Sequence, residues 1–288
     1  MILEPNDTIM LIACSNDLDY KYSKVINKMI YILKSFKLNV IISDSLYKKD
    51  NMYSPGSYRA SELMKGFMNT NIKCIFDVSG GDLSIELLPY LDFDIIRQSK
   101  AKYYGYSDLS VILNSIYAKA NKSSFYYNIK TILTKDGFNN FYSTFIYAKS
   151  TFNLFNSWKF NWINGSFMSG VVLGGNIRCT LKLSGTIYMP SFKDKILFLE
   201  SNSGDITKMR SFIAQYKLLG IFNDINGIIL GEFTEINSNN ELNLLNKLFI
   251  DICKEHNIPL IKTNEIGHSS LSKGIAIGSY INIKKSME

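Results

Sequence analysis

Short apolar segments alternate with longer amphipathic ones along the first 110 residues, and this alternation constrains the fold more than any other feature of the chain. TIMLIAC reads as a short buried strand. The following YKYSKVINKMIYILKSF places Val25, Met29, Ile30, Ile32 and Leu33 along one side of a helix, and LNVIIS is a second strand. After the turn SPGS, YRASELMKGFMN is helical and KCIFDV is a third apolar strand. A fourth strand ends within AKYYGYSDLS, residues 101–110, just before the helix VILNSIYAKA. This order predicts a parallel-sheet α/β unit. In such sheets the ligand crevice lies beyond the carboxyl ends of the strands, where SGGD (79–82) and GYSD (105–108) both emerge.

The pattern changes between about 140 and 166, in FYSTFIYAKSTFNLFNSWKFNWINGS, which is rich in aromatics and asparagine and has no clean period. Beyond it come MSGVVLGGN, the buried strand KILFLE, a helix around TKMRSFIAQYKLLGIF, the strand GIIL, a helix ending near CKEH and the strand IPLIKT. The expected organisation is an N-terminal α/β domain over residues 1–150, a crossover over 151–165 and a second, C-terminal α/β domain with glycine turns over 166–288.

Composition excludes several function classes. With 46% hydrophobic and 20% charged residues, 288 residues bury a full core, so disorder is not expected. No apolar run approaches the ~18 residues of a membrane span, and the opening MILEPNDTIMLIAC has acids where a signal peptide carries positive charge. A cytoplasmic protein without a membrane partner is expected. The net charge of +7 comes from scattered lysines rather than a dense basic block, so no nucleic-acid partner is expected either. The four cysteines form no C-x-x-C pair, and two histidines complete no metal-ligand cluster. Neither a phosphate-binding G-x-x-x-x-G-K-[ST] loop nor a G-x-G-x-x-G fingerprint is present, and no cofactor is expected.

Ser107, in the stretch GYSDLS, has two readings: an N-cap of the helix that follows, or a nucleophile pushed out of the backbone where a strand turns sharply into a helix. A nucleophilic serine needs a base, and the base needs an orienting group. Of the two histidines, His256 lies where a helix ends and a strand is about to start, the wrong edge for the crevice. His268 follows the buried strand IPLIKT and falls on the crevice edge. Glu200 closes KILFLE and supplies the acid, with Glu232 as rival acid and Lys102 as remote rival base.

These residues, with SGGD, GYSDLS, LGGN, ILFLES and a late GHSS in this order, resemble the LD-carboxypeptidase family of serine peptidases, which includes murein tetrapeptide carboxypeptidases and microcin C self-immunity peptidases. The segment SGGDLSIELLPYLDFDII is closer to the immunity-type branch. The resemblance implies a Ser-Glu-His triad with Ser107 as nucleophile, His268 as base and then acid, and Glu200 as orienter. It also implies amide hydrolysis of a small peptide or peptidyl-nucleotide, without metal, by a homodimer. The alternative is a catalytically altered member that binds such a ligand without cutting it. The backbone N–H groups of Asp108 and Gly81 are the expected oxyanion donors. Gly80 belongs to the same turn, and Gly174, Gly175 and Asn176 read either as a hairpin turn or as pocket floor. Trp158 and Trp162, in FNSWKFNW, are candidate stacking surfaces for a base. The chain departs from the family pattern after the elbow helix, where Asn128, Ile129 and Lys130 stand in place of a His-Gly-Pro or Tyr-Gly-Pro run.

Overall fold

The computed structural model describes residues 2–50, 52–147 and 149–285. Among the described residues, twelve strands form two six-stranded mixed sheets with helices around them. The strands are β1 (Thr8–Ile12), β2 (Asn39–Ile42), β3 (Ile72–Asp77), β4 (Lys102–Gly105), β5 (Ser124–Tyr126), β6 (Asn161–Asn164), β7 (Phe167–Asn176), β8 (Lys195–Ser201), β9 (Gly227–Phe233), β10 (Leu260–Lys262), β11 (Ile275–Ile277) and β12 (Tyr280–Lys284).

The first sheet runs β11-β5-β4-β3-β1-β2, and its five N-terminal strands pair in parallel, as alternation of strands and helices requires. Its outermost strand, β11, is antiparallel and arrives from the far end of the sequence. The second sheet runs β12-β7-β8-β9-β10-β6, with a parallel centre and an antiparallel strand at each edge. Strand β6 lies inside the segment 151–165 and pairs with β10, so the second sheet takes in the end of that segment.

Side chains that alternate along β1 divide the core. Ile9, Leu11 and Ala13 join Ile26, Met29 and Leu33 of the helix Ser23–Ser35 and the rings of Phe141 and Phe145. Met10, Ile12 and Cys14 face the other way, onto Ala60 and Leu63 of the helix Gly56–Met68. That second cluster continues without a break into the β7–β9 core of the other sheet, so the two sheets share one apolar interior. The helical face over residues 23–35 is turned slightly from the expected one. Ile26 takes the inward position, whereas Val25 is 41% exposed.

Candidate active site

The chain reaches Ser107 in extended geometry at Tyr106 (φ −149°, ψ 175°) and then adopts φ +57° at Ser107 before entering the short helical turn Ser107–Leu109 and the helix Ser110–Ala120. A left-handed backbone at a residue with a side chain is strained and persists only where the surroundings enforce it. Here they do. The Ser107 N–H donates to the Tyr126 hydroxyl at 3.0 Å, and its carbonyl accepts from Ser110 Oγ at 2.6 Å. Neither helical start takes a side-chain cap, so Ser107 does not serve as the N-cap that was one of its readings. The geometry is that of a strand–turn–helix elbow.

The elbow is fastened to the second sheet. Ser110 Oγ accepts from Asn176 N at 2.8 Å, while the Asn114 amide donates to Gly174 O and accepts from Gly174 N, both at 2.8 Å. Gly175, at φ +144°, must be glycine because a Cβ there would meet Ser110 Oγ at 2.3 Å. The LGGN run is therefore the end of β7 passing beneath the elbow helix, not a hairpin turn.

Asn176 pairs across the sheet with Glu200 and donates to Glu200 Oε1 at 2.9 Å. Glu200 is fully buried, and its strand shifts register against β9 between Leu199 and Ser201, an irregularity of the kind that re-aims a side chain. Its other oxygen, Oε2, meets His268 Nδ1 at 2.7 Å. With Nδ1–H donating to the carboxylate, Nε2 carries the lone pair, and this atom is buried without a partner. The Tyr106 ring lies 5.5 Å from the imidazole, centroid to centroid, which places the histidine beside the residue preceding Ser107.

The loop 263–274 that carries His268 is held from several sides. Ser269 N donates to Glu232 Oε2 at 2.9 Å, so the rival acid supports the histidine loop instead of contacting the imidazole. The ammonium of Lys262, at the end of β10, donates to Gly231 O at 2.5 Å, Asn264 Oδ1 at 3.0 Å and Thr263 O at 3.4 Å. His256 sits at the end of the helix Leu242–His256, 3.7 Å from Glu255, and Lys102 begins β4 at the opposite end from the elbow.

The SGGD turn lies against the elbow. Asp77 anchors it by accepting from Ser79 N and Ser79 Oγ, although burial pushes the Asp77 carboxyl above its ordinary value. Gly80 has Ser107 Cβ 3.9 Å from where its own Cβ would stand. Gly81 has φ +127° and would drive a Cβ into the Asn16 amide at 2.3 Å. Asn16 Oδ1 in turn accepts from Asp82 N and Leu83 N, which sets the shape of the turn.

Two of the expected residues have a different setting. Trp158 is only 8% exposed, packs edge-on to Phe160 and donates its indole N–H to Phe155 O at 3.1 Å. Trp162 lies in β6 against the core with its indole nitrogen buried. Trp158 belongs to the apolar cluster that runs into the second sheet, and Trp162 packs against it. The segment around Trp158 is nonetheless tied to the histidine loop, since Lys159 N donates to Glu265 Oε2 and Lys273 Nζ to Ser157 O, each at 2.7 Å.

Tyr126 was not among the sequence candidates. It sits between the Ser107 N–H and Glu200. Burial first, and then the neighbouring Glu200 carboxylate, keep its hydroxyl protonated well above the usual phenol range. Among 18 tyrosines nothing in the sequence singles it out except its place in the strand after the elbow helix. Lys130, in the segment that departs from the family pattern, stands 5.0 Å over the Tyr106 ring. Among the described residues no group of three or more His, Cys, Asp or Glu side chains could hold a metal ion, and no helix is long and apolar enough to cross a membrane.

The chain is thus an α/β protein with two mixed sheets that carries a serine on a strained elbow and, after the second sheet's central strands, a histidine held by a buried carboxylate. The LD-carboxypeptidase N-terminal domain model matches residues 9–127 and the C-terminal domain model residues 169–283, and the chain belongs to this family of peptidases. It is 26% identical over 308 residues to a putative carboxypeptidase of Treponema pallidum, an alignment covering 98% of this chain and 91% of the relative. It is 28% identical over 233 residues to the microcin C7 self-immunity protein MccF of Escherichia coli, covering 69% and 67% of the two chains. The solved structure of MccF in complex with glutamyl sulfamoyl guanosine superposes with a TM-score of 0.82 at 21% identity, over 99% of this chain and 97% of that one.

Proposed function

We propose that the protein hydrolyses an amide bond of a small peptide or peptidyl-nucleotide, with Ser107 as nucleophile, His268 as general base and Glu200 as the group that orients it. The observation that carries this reading is the buried, unpartnered Nε2 of His268, opposite an Nδ1 fixed at 2.7 Å by a fully buried carboxylate. A neutral imidazole with that tautomer accepts the serine proton and returns it to the leaving amine. Hydrogen bonds between base and nucleophile commonly tighten only when substrate is bound. The oxyanion formed on attack would take the N–H groups of Asp108 and Gly81, on the elbow and on the adjoining turn. Amide hydrolysis then needs only water to release the acyl group from Ser107.

The substrate alternatives follow from the family, whose members are LD-carboxypeptidases, and from MccF, which is a self-immunity protein and has been seen with a sulfamoyl nucleoside. The test is hydrolysis of a murein tetrapeptide and of a peptidyl-adenylate analogue, with fluorophosphonate labelling as a substrate-independent readout. Ser107→Ala and His268→Ala are expected to lose nearly all turnover, and Glu200→Gln about 10⁴-fold. His256→Ala should match the wild type. A wild-type protein labelled no faster than Ser107→Ala would leave only a binding role.

A further inference from the structure

Lys182 follows the helix Ile177–Leu181 in the second domain, yet its ammonium reaches both segments of the first domain that flank the serine. It donates to Asp108 Oδ1 at 2.6 Å, to Asp82 O at 2.9 Å and to Asp82 Oδ1 at 3.5 Å, and its side chain is 19% exposed. Asp108 is fully buried. Its second oxygen accepts from Ser15 Oγ at 2.7 Å and Ser84 N at 3.0 Å, and its carbonyl accepts from Ser84 Oγ at 2.8 Å. The Asp108 side chain is thereby the node where the elbow, the end of β1 and the SGGD turn meet.

A buried carboxylate with no countercharge is costly, and Lys182 is the cation that contacts Asp108. Arg178 pairs with Asp82 on the more exposed side and leaves the Asp108 oxygen to Lys182. Asp82 O lies two peptide units beyond the Gly81 N–H, and Asp108 Oδ1 belongs to the residue whose own N–H is the other proposed oxyanion donor. One ammonium thus bridges the two backbone segments that carry the oxyanion donors. Donors act only when held at about 2.7–3.1 Å from the developing anion, so a small drift of either segment matters.

We propose that Lys182 is a positioning residue that holds the Asp108 and Gly81 N–H groups at a fixed separation from across the domain boundary; this rests on the hydrolase reading above. The experiment is the rate of fluorophosphonate labelling of Ser107, resolved into maximal rate and half-saturating concentration. It compares the wild type, Lys182→Met, Lys182→Arg and the double variant Lys182→Met with Asp108→Asn, with Ser107→Ala as blank. The double variant removes both members of the buried pair, so it keeps little of the folding penalty of a lone buried charge. Lys182→Met should lower the maximal rate about 10²-fold, the effect of losing one oxyanion donor, with little change in half-saturation. Lys182→Arg should fall between Lys182→Met and wild type. The double variant should regain thermal stability while its labelling stays slow. Recovery of labelling along with stability would make Lys182 a structural residue and overturn the proposal, as would wild-type rates in Lys182→Met. Wild-type protein that labels no faster than Ser107→Ala would instead refute the hydrolase reading, and the role of Lys182 with it.

Discussion

At the scale of single residues, the site is held by side chains that sequence reasoning does not value. Ser107, Glu200 and His268 stand out because each ends or follows a readable strand and because there are only two histidines to choose from. Tyr126 and Lys182 have no such advantage: their roles come from what lies across from them after folding, and a tyrosine in a strand or a lysine after a helix is ordinary text. Tyr126→Phe tests the first of them. The change removes the acceptor of the Ser107 N–H and leaves that amide unsatisfied beside a strained backbone. A loss of about 1–3 kcal/mol of stability is expected, together with a drop in kcat of roughly tenfold and little change in KM. Denaturant unfolding and steady-state kinetics check it, and a variant with unaltered kcat would show that the hydroxyl does not govern the elbow.

At the scale of elements, the strands at the centre of both sheets were legible because they are continuous apolar runs bounded by turn residues. The short edge strands β6 and β11, of four and three residues, were not, since so few positions define no period. The loop between β10 and β11 shows how an element without regular structure is made firm. Lys262 pins it to the end of β9 through Gly231, and burial lowers the Lys262 ammonium to about 8. Below that pH the group is charged in native and unfolded chains alike, and the native state bears the full cost of burying the charge. As pH rises from about 8 towards the ordinary lysine range, the unfolded chain retains more protons than the native one, so stability rises. Relative to Lys262→Met, the wild-type Tm should therefore gain ground between pH ~8 and ~10. Parallel pH curves for the two proteins would mean that the ammonium is not destabilised in the fold.

For the whole molecule, the division into an N-terminal and a C-terminal α/β unit describes the order of the text better than the connectivity of the object. The first sheet is completed by β11, which lies after the histidine loop, and the apolar cluster on one face of that sheet runs on into the second. Residues 1–150 expressed alone would expose the unpaired edge of β5 and the face of the helix Ser110–Ala120 that packs against β7 and the helix Ile177–Leu181. Size-exclusion chromatography is expected to show aggregates, and calorimetry no cooperative transition. A monomer melting sharply near the full-length Tm would show that the first unit folds independently. The same return of the chain has a bearing on how the protein is made in time. A ribosome that has finished β5 must add about 150 more residues before β11 emerges to pair with it. At ~5–20 residues per second the nascent chain keeps that hydrogen-bonding edge open for roughly ten seconds or more. Through that interval the growing polypeptide displays an unpaired strand border to every neighbouring chain.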